Sequence, residues 1–433
     1  MRGPTLSRRA AWRILQAVRA GATFGEARDR HLNGLDDRDR RLAYELAAGT
    51  LRHQRELDGE LDLAHADARL HDVLRLGAYQ LRLLSRVPPH AAVSTAVELA
   101  RETAGEGAAR YVNQALRRLT REGGRGEREG GRGKGEGAAT HPPWLVERWR
   151  LRLGAEETAR LLAWNDTRPA LVLQSIRWNA TQLTAQLEAA GVSFKEAPFG
   201  AGVEILADRD TSRIPRPTSL PGFAEGGFVV QDPAQALVVR FAAIPTSARV
   251  YDACAAPGGK SVSLERSGAI VFAGEGRRAR VRKLTETTRR CGRAIRVVAA
   301  DLTSPPFAAR SWDAVMVDAP CTATGTMARH PDARWRITPA AIARAAKRQR
   351  QLLEAAADLT RPGGVLVYAT CSLEPEENAD QVDHFLGQHP EFVRAPVAGV
   401  VPPALVSAAG DFQSLPFRDQ IDGAYAARLR REH

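Results

Sequence analysis

Over the first 121 residues the apolar positions recur three and four apart and never alternate for the length of a strand. Ala11, Leu15 and Val18 form one stripe, Val93, Val97 and Ala100 a second, and Val112, Ala115, Leu116 and Leu119 a third. Side chains at this spacing share one face of a helix, so residues 1–121 are expected to form an all-α bundle with polar loops such as LDDRDR and SRVPPH. Ser7 is expected to cap the first helix, which makes the Arg-rich start part of a fold rather than a cleaved leader.

The periodicity stops at GGRGEREGGRGKGEG, residues 123–137. Glycines among charged residues cannot bury a core, so 122–140 reads as a flexible linker. From His141 the pattern mixes. HPPWLVERWRLRLG reads as a helix entered through proline, ALVLQSIRWN as a strand, and TQLTAQLEAAG as a helix closed by Gly191; VSFKEA and GVEIL add strands. Residues 141–235 are therefore expected to be a small α+β unit leading into the last domain.

Short apolar runs then alternate with helical ones: RVYDA, AIVFA, AIRVVAAD, WDAVMVDAP and GGVLVYAT, with the long helical run PAAIARAAKRQRQLLEAAADLT before the last. This is the pattern of a doubly wound parallel sheet, so 236–433 is expected to be a Rossmann-like α/β domain. The fold class is multidomain: a helical bundle, a small α+β unit, then the α/β domain.

Composition adds limits. Of 433 residues, 44% are hydrophobic and 26% charged, ordinary for a globular chain. No apolar run approaches the roughly 20 residues that span a bilayer, so a cytoplasmic protein with no membrane partner is expected. The net charge of +12 suits a polyanionic partner, although an Arg-preferring genome would produce it as well. Cys254, Cys291, Cys321 and Cys371 contain no CxxC pair and no Cys/His ligand spacing, which excludes a disulfide framework and a structural zinc site; no metal is expected. No long heptad asks for a second copy, so a monomer is expected.

Ligands in such sheets lie beyond the carboxyl ends of the strands. In YDACAAPGGKS, residues 251–261, small residues leave the first strand and open a helix whose N–H groups face an anion. The loop is neither GxGxxG nor GxxxxGK[ST]; a carboxylate ligand such as the methionine half of S-adenosylmethionine suits it. Acids end four successive strands, Asp252, Glu275, Asp301 and Asp318, and Glu275 occupies the place where such folds bind ribose hydroxyls. Cys321 and Cys371 fall at two strand ends on the same crevice. A thiol there is commonly a small buried hydrophobe. It is also a nucleophile where positive charge or a helix N-terminus lowers its pKa, and the helix opening at Pro375 is expected to supply one.

Four motifs, DACAAPGGK, DAPCTATG, RHPDARW and YATCSLEPEEN, resemble those of the RNA cytosine-5 methyltransferases of the Nol/Nop/Sun group, and the helical start resembles NusB, an RNA-binding fold. The two joined in this order are similar to the members that act on 16S ribosomal RNA in bacteria. The resemblance implies that S-adenosylmethionine is the cofactor, bound by Cys254, Ala255, Ala256, Pro257, Gly258, Gly259, Lys260, Glu275, Asp301 and Asp318. It implies Cys371 as nucleophile and Cys321 as the group for proton removal and product release, an assignment that spacing alone does not decide. Cys291 lies outside every motif and reads as packing. Three positions depart from the family pattern: Arg277 replaces a second acid, Asp301 lacks flanking glycines, and Asp422-Gly423-Ala424-Tyr425 replaces Asp-Gly-Phe-Phe. Transfer RNA or another ribosomal site, with the same chemistry, and a non-catalytic RNA-binding assembly factor are the alternatives.

Overall fold

The computed structural model describes residues 6–122, 140–207 and 214–433; of the linker expected at 122–140, residues 123–139 lie outside them. Two compact units are present. One holds the chain up to Arg168 together with Met327–Arg336, the other Pro169–Thr326 with Ile337–His433.

The first unit is helical: Leu6–Arg19, Phe24–His31, Asp37–Arg52, Gln54–Glu60, His71–Leu83 and a long run Pro89–Glu122. That run is broken at Gly105, whose φ of 83° and ψ of −171° suit a residue without Cβ, so the last two apolar stripes lie on separate helices. Thr23 and Glu26 cap the second helix reciprocally, each side chain accepting from the other's backbone N–H. Ile14, Leu46, Leu74, Leu99 and Leu116 are wholly or almost wholly buried in one core, each worth about 1.5–3 kcal/mol of transfer free energy. Gly49 lets two helices touch: a Cβ there would stand 2.0 Å from Tyr79 Cζ. Ser7 does not cap the first helix. It lies inside Leu6–Arg19 and is buried, because the stripe it leads faces the core.

Residues 141–168, read from the sequence as the start of the α+β subdomain, form helices Pro143–Leu153 and Ala155–Asn165 and belong to this helical unit. Arg55 Nη1 donates to the carbonyl of His141 at 3.2 Å, and Arg168 pairs with Glu45 at 2.9 Å. Met327–Arg336, which carries RHPDARW, is also built in here. Trp335 Nε1 donates to the Leu51 carbonyl at 2.6 Å, and Phe24 N donates to Asp332 Oδ2 at 3.1 Å.

The second unit contains two sheets. Strands β1 (Leu171–Ser175), β2 (Phe194–Glu196), β3 (Val203–Ile205) and β4 (Phe228–Val230) form an antiparallel sheet of order β2-β3-β1-β4, with Leu183 and Leu187 of helix Ala180–Ala189 in its core. The larger sheet holds β5 (Arg249–Asp252), β6 (Ile270–Gly274), β7 (Arg296–Val298), β8 (Trp312–Asp318), β9 (Thr360–Thr370), β10 (Phe392–Arg394), β11 (Phe412–Ser414) and β12 (Ala424–Arg431). The path runs β10-β12-β9-β8-β5-β6-β7, with β11 on β12. The five strands expected from the sequence are the parallel ones; β12 lies between β9 and β10, antiparallel to both.

Alternate residues of the parallel strands enter two cores, as the period of two requires. Val250, Val271, Met316 and Val367 pack with Leu237 and Phe241 of helix Pro233–Ala242 on one face. Tyr251, Val315, Val317 and Leu366 pack with Leu352, Leu353 and Ala356 of helix Pro339–Leu359 on the other. With both faces covered, loops can gather only at the sheet's ends. Among the described residues no helix is long and apolar enough to cross a membrane.

Candidate active site

Neighbouring parallel strands bring the two cysteines together. Asp318 of β8 lies opposite Ala369 of β9, and Ala319 N donates to the Ala369 carbonyl at 2.8 Å. The chain leaves each strand within a few residues, and Cys321 Sγ stands 3.2 Å from Cys371 Sγ although 50 residues separate them. Both thiols are part-buried, whereas Cys291 is fully buried in a small apolar cluster. Gly325 N donates to the Cys371 carbonyl at 2.9 Å, and Leu373 N to Thr324 Oγ1 at 2.7 Å, so the two loops are stitched along their length. Gly325 is needed for this approach: a Cβ there would lie 2.6 Å from the Gly423 carbonyl oxygen and 2.8 Å from that of Cys371.

The contact with Cys371, burial and the charge of Glu377 hold the Cys321 thiol well above its ordinary pKa. Either sulfur can donate to the other. No helix N-terminus begins at Pro375: residues Pro375–Glu377 make one tight turn, and the α-helix starts at Ala379. Asn378, at φ −121° and ψ −107°, separates the turn from that helix.

A second cluster lies along the same sheet edge. The loop after β5 carries Cys254, Ala255, Ala256, Pro257 and Gly258, with a cis bond at Ala256-Pro257, and enters helix Gly259–Arg266. Gly258, at φ 109°, approaches Leu284 so closely that a Cβ would stand 3.0 Å from its Cδ1. Lys260, 8% exposed, donates from Nζ to Asp318 Oδ2 at 2.7 Å and to Gln235 Oε1. Asp252 is fully buried and accepts from Ser261 Oγ at 2.6 Å; burial pushes its carboxyl up to about 7. Burial, with the carboxylates of Asp318, Asp252 and Glu275, likewise pushes the Cys254 thiol up to about 12.

The sheet order places the four acids in the sequence Asp301, Glu275, Asp252, Asp318 across one edge. Glu275 is 5% exposed; its Oε1 accepts from Arg277 N at 2.9 Å, and its Oε2 lies 3.3 Å from Arg280 Nε without a hydrogen-bond partner among the described residues. Asp301 differs. It stands beyond the end of β7 rather than on it, is exposed, and is held below the ordinary carboxylate range by the Thr303 N–H and hydroxyl and by Arg348, which reaches both oxygens at 3.0 Å. Glycine loop, buried acceptors without a hydrogen-bond donor at Glu275 Oε2 and Asp252 Oδ1, and a neighbouring acid fit a ligand with carboxylate and ribose hydroxyls, as S-adenosylmethionine has. Among the described residues no group of three or more His, Cys, Asp or Glu is placed to hold a metal.

Sequence reasoning missed Gln235, Arg280, Arg348 and Gln349, which lie on helices with no recognisable motif around them. Ser261, Glu377 and Asn378 lay inside quoted motifs, yet nothing in their spacing announced a contact. Asn378 Oδ1 accepts from the Thr370 hydroxyl, and its Nδ2 donates to the Ser372 carbonyl at 2.9 Å.

A parallel sheet with this glycine loop, this row of acids and an antiparallel edge defines an S-adenosylmethionine-dependent methyltransferase. The profile described as 16S rRNA methyltransferase RsmB/F matches residues 243–430, that of the NusB family 5–121, and that of the RsmF/B-like ferredoxin-like domain 141–209. The chain is 33% identical to the ribosomal RNA small subunit methyltransferase B of Pseudomonas syringae pv. tomato, over 98% of this chain and 96% of that one. It belongs to the RsmB/F methyltransferase family. The same fold is found in the crystal structure of PH0851, with a TM-score of 0.80 at 23% identity over 99% of both chains. It recurs in NSun6 from Pyrococcus horikoshii solved with SFG, with a TM-score of 0.60 at 19% identity over 67% of this chain and 98% of that one.

Proposed function

We propose that the protein methylates C5 of a cytosine in 16S ribosomal RNA through a covalent bond between Cys371 and C6 of the base. The observation that carries this reading is the 3.2 Å approach of Cys321 and Cys371 at the strand ends beside the cofactor loop. The homologue from Pseudomonas syringae pv. tomato, named as a small-subunit ribosomal RNA methyltransferase, supports the substrate.

C5 of cytosine is too electron-poor to attack a methyl sulfonium. Addition of the Cys371 thiolate at C6 places an electron pair on C5 and makes it nucleophilic. S-adenosylmethionine, when bound, supplies the methyl group; residues 254–260, Glu275, Asp301 and Asp318 are its proposed holders. Once C5 is methylated it still carries its proton. Cys321, as the thiolate once its own proton has passed to solvent, takes that proton, the C5–C6 double bond re-forms and the Cys371 sulfur leaves as a thiolate. A thiol whose pKa stands high, as that of Cys321 does, is a strong base once ionised and returns to the thiol form at the end of the cycle. The target base must leave its stack to reach the sheet edge, so a flipped base or a loop nucleotide is the substrate form.

The NusB-like bundle and the small α+β part supply the shape-reading surface, the chain acts as a cytoplasmic monomer, and residues 236–433 form the catalytic domain. The deciding experiment is covalent trapping. Wild type, Cys371→Ala and Cys321→Ala are incubated with S-adenosylmethionine and unmodified 16S transcript and run on a denaturing gel. Cys321→Ala should accumulate a protein–RNA adduct, and Cys371→Ala should form none and transfer no methyl. The reverse pattern would make Cys321 the nucleophile. Adduct formation on transfer RNA alone would move the substrate.

A further inference from the structure

We propose that Glu377 is a positioning residue that sets the distance between the two thiols by holding the residue that follows each cysteine. The inference rests on the two-cysteine reading above but concerns a different group. Glu377 is fully buried. Its Oε1 accepts from Thr322 N and from Gln349 Nε2, each at 2.9 Å. Its Oε2 accepts from the hydroxyls of Thr322 and Ser372. Thr322 follows Cys321 and Ser372 follows Cys371, so a single carboxylate grips both cysteine loops.

The grip is anchored on both sides. Gln349 also donates to the carbonyl of Pro320 at 3.1 Å, on the other flank of Cys321. Tyr368, on β9, donates from its hydroxyl to the Glu377 carbonyl at 2.6 Å, which fixes the carboxylate to the strand that delivers Cys371. The Thr322 and Ser372 hydroxyls lie 3.3 Å apart, brought together because both donate to one oxygen. A carboxylate is required by this arrangement. It accepts only, and donors converge on both of its oxygens; an amide would turn an N–H₂ group toward donors and break the bracket on one side. A buried charge is otherwise expensive, so its retention between the thiol loops, where it also raises the Cys321 pKa, needs a reason beyond packing. Sub-ångström placement of reacting groups is such a reason.

The test reads thiol geometry directly, without catalysis. Diamide oxidises two adjacent thiols to a disulfide: the S–S bond forms, and the N=N bond of the reagent takes up both hydrogens to become a hydrazine. Formation of the Cys321–Cys371 disulfide is followed by peptide mass spectrometry in wild type, Glu377→Gln, Glu377→Asp and Ser372→Ala. Thermal unfolding and S-adenosylmethionine binding serve as controls. Wild type should cross-link fastest and Glu377→Gln slower by on the order of tenfold or more, with Ser372→Ala between. In methyl transfer kcat should fall more than KM rises, while cofactor affinity stays near wild type. Glu377→Asp, which keeps the charge on a shorter arm, should recover part of both readouts. Wild-type cross-linking in Glu377→Gln overturns the proposal, whatever happens to activity. If Glu377→Gln fails to fold, Ser372→Ala decides: an unchanged cross-linking rate overturns the proposal, a reduced one sustains it. If wild type cross-links readily but methylates no RNA, the functional reading fails and the positioning of the thiols by Glu377 is still decided.

Discussion

Arg334 Nη1 donates to Asp166 Oδ1 at 2.8 Å across 168 residues of sequence, with the Arg334 side chain wholly excluded from solvent. The same guanidinium donates to the carbonyls of Arg52 at 3.1 Å, Thr140 at 3.3 Å and Asn165 at 2.9 Å. A motif lying within the methyltransferase part of the sequence thus supplies the polar centre of the helical unit. Replacing Arg334 by Met would leave these acceptors unpaired, and the helical unit should lose about 3 kcal/mol of stability. Chemical denaturation followed by far-UV circular dichroism would show it. A chain beginning at residue 169 would lack every one of these partners, and limited proteolysis should cut it first within 327–336.

Gly325 offers a sharper test of the site. Gly325→Ala forces a methyl against the carbonyl oxygens of Gly423 and Cys371, both backbone atoms that cannot swing aside. The loops must part, and methyl transfer should fall by on the order of a hundredfold or more while S-adenosylmethionine affinity changes little. Loss of cofactor binding instead would mean that the strain spreads to the glycine loop.

Asp252 should make stability depend on pH. Its folded pKa is raised to about 7 from an ordinary 3.8, so between those values the unfolded chain has released the proton and the folded chain has kept it. Stability should fall as pH rises from about 4 to about 7 and level off above. Asp252→Asn should remove this slope, gaining up to about 4 kcal/mol on wild type at pH 8 and almost nothing at pH 4. Urea denaturation at those two pH values checks the sign.

Glu275 has a buried oxygen without a hydrogen-bond donor, the acceptor a ribose hydroxyl would meet. Glu275→Gln should weaken S-adenosylmethionine binding by roughly tenfold, measured by calorimetry, with little change in melting temperature. Asp301→Asn should cost less, because that carboxylate is exposed and already engaged by Thr303 and Arg348.

How much of this was legible beforehand follows from range. Each parallel strand announces itself in a run such as WDAVMVDAP, because both faces are buried and every residue can be apolar. The row of acids and the glycine loop stand next to those runs and could be read with them. Strand β12 reads AYAARLRR, whose arginines hide that nearly all of it is buried, and β10 and β11 each span three residues, too few to show a period. Ser7 was misplaced because a polar residue before a helical stripe looks the same whether it caps the helix or lies within its first turn.

By itself the sequence determined the element types, the parallel order of strand and helix, and the kinds of residue set at the strand ends, since these depend on neighbours a few positions apart. Tertiary structure alone decided three things: that Cys321 and Cys371 meet, that Glu377 answers the residue after each of them, and that Asp332 and Arg334 of RHPDARW are buried among helices from the first part of the chain. Each of these is a contact across 50 or more residues or a choice among many equally polar candidates. Only strand register and the need to pair every buried donor and acceptor select among them.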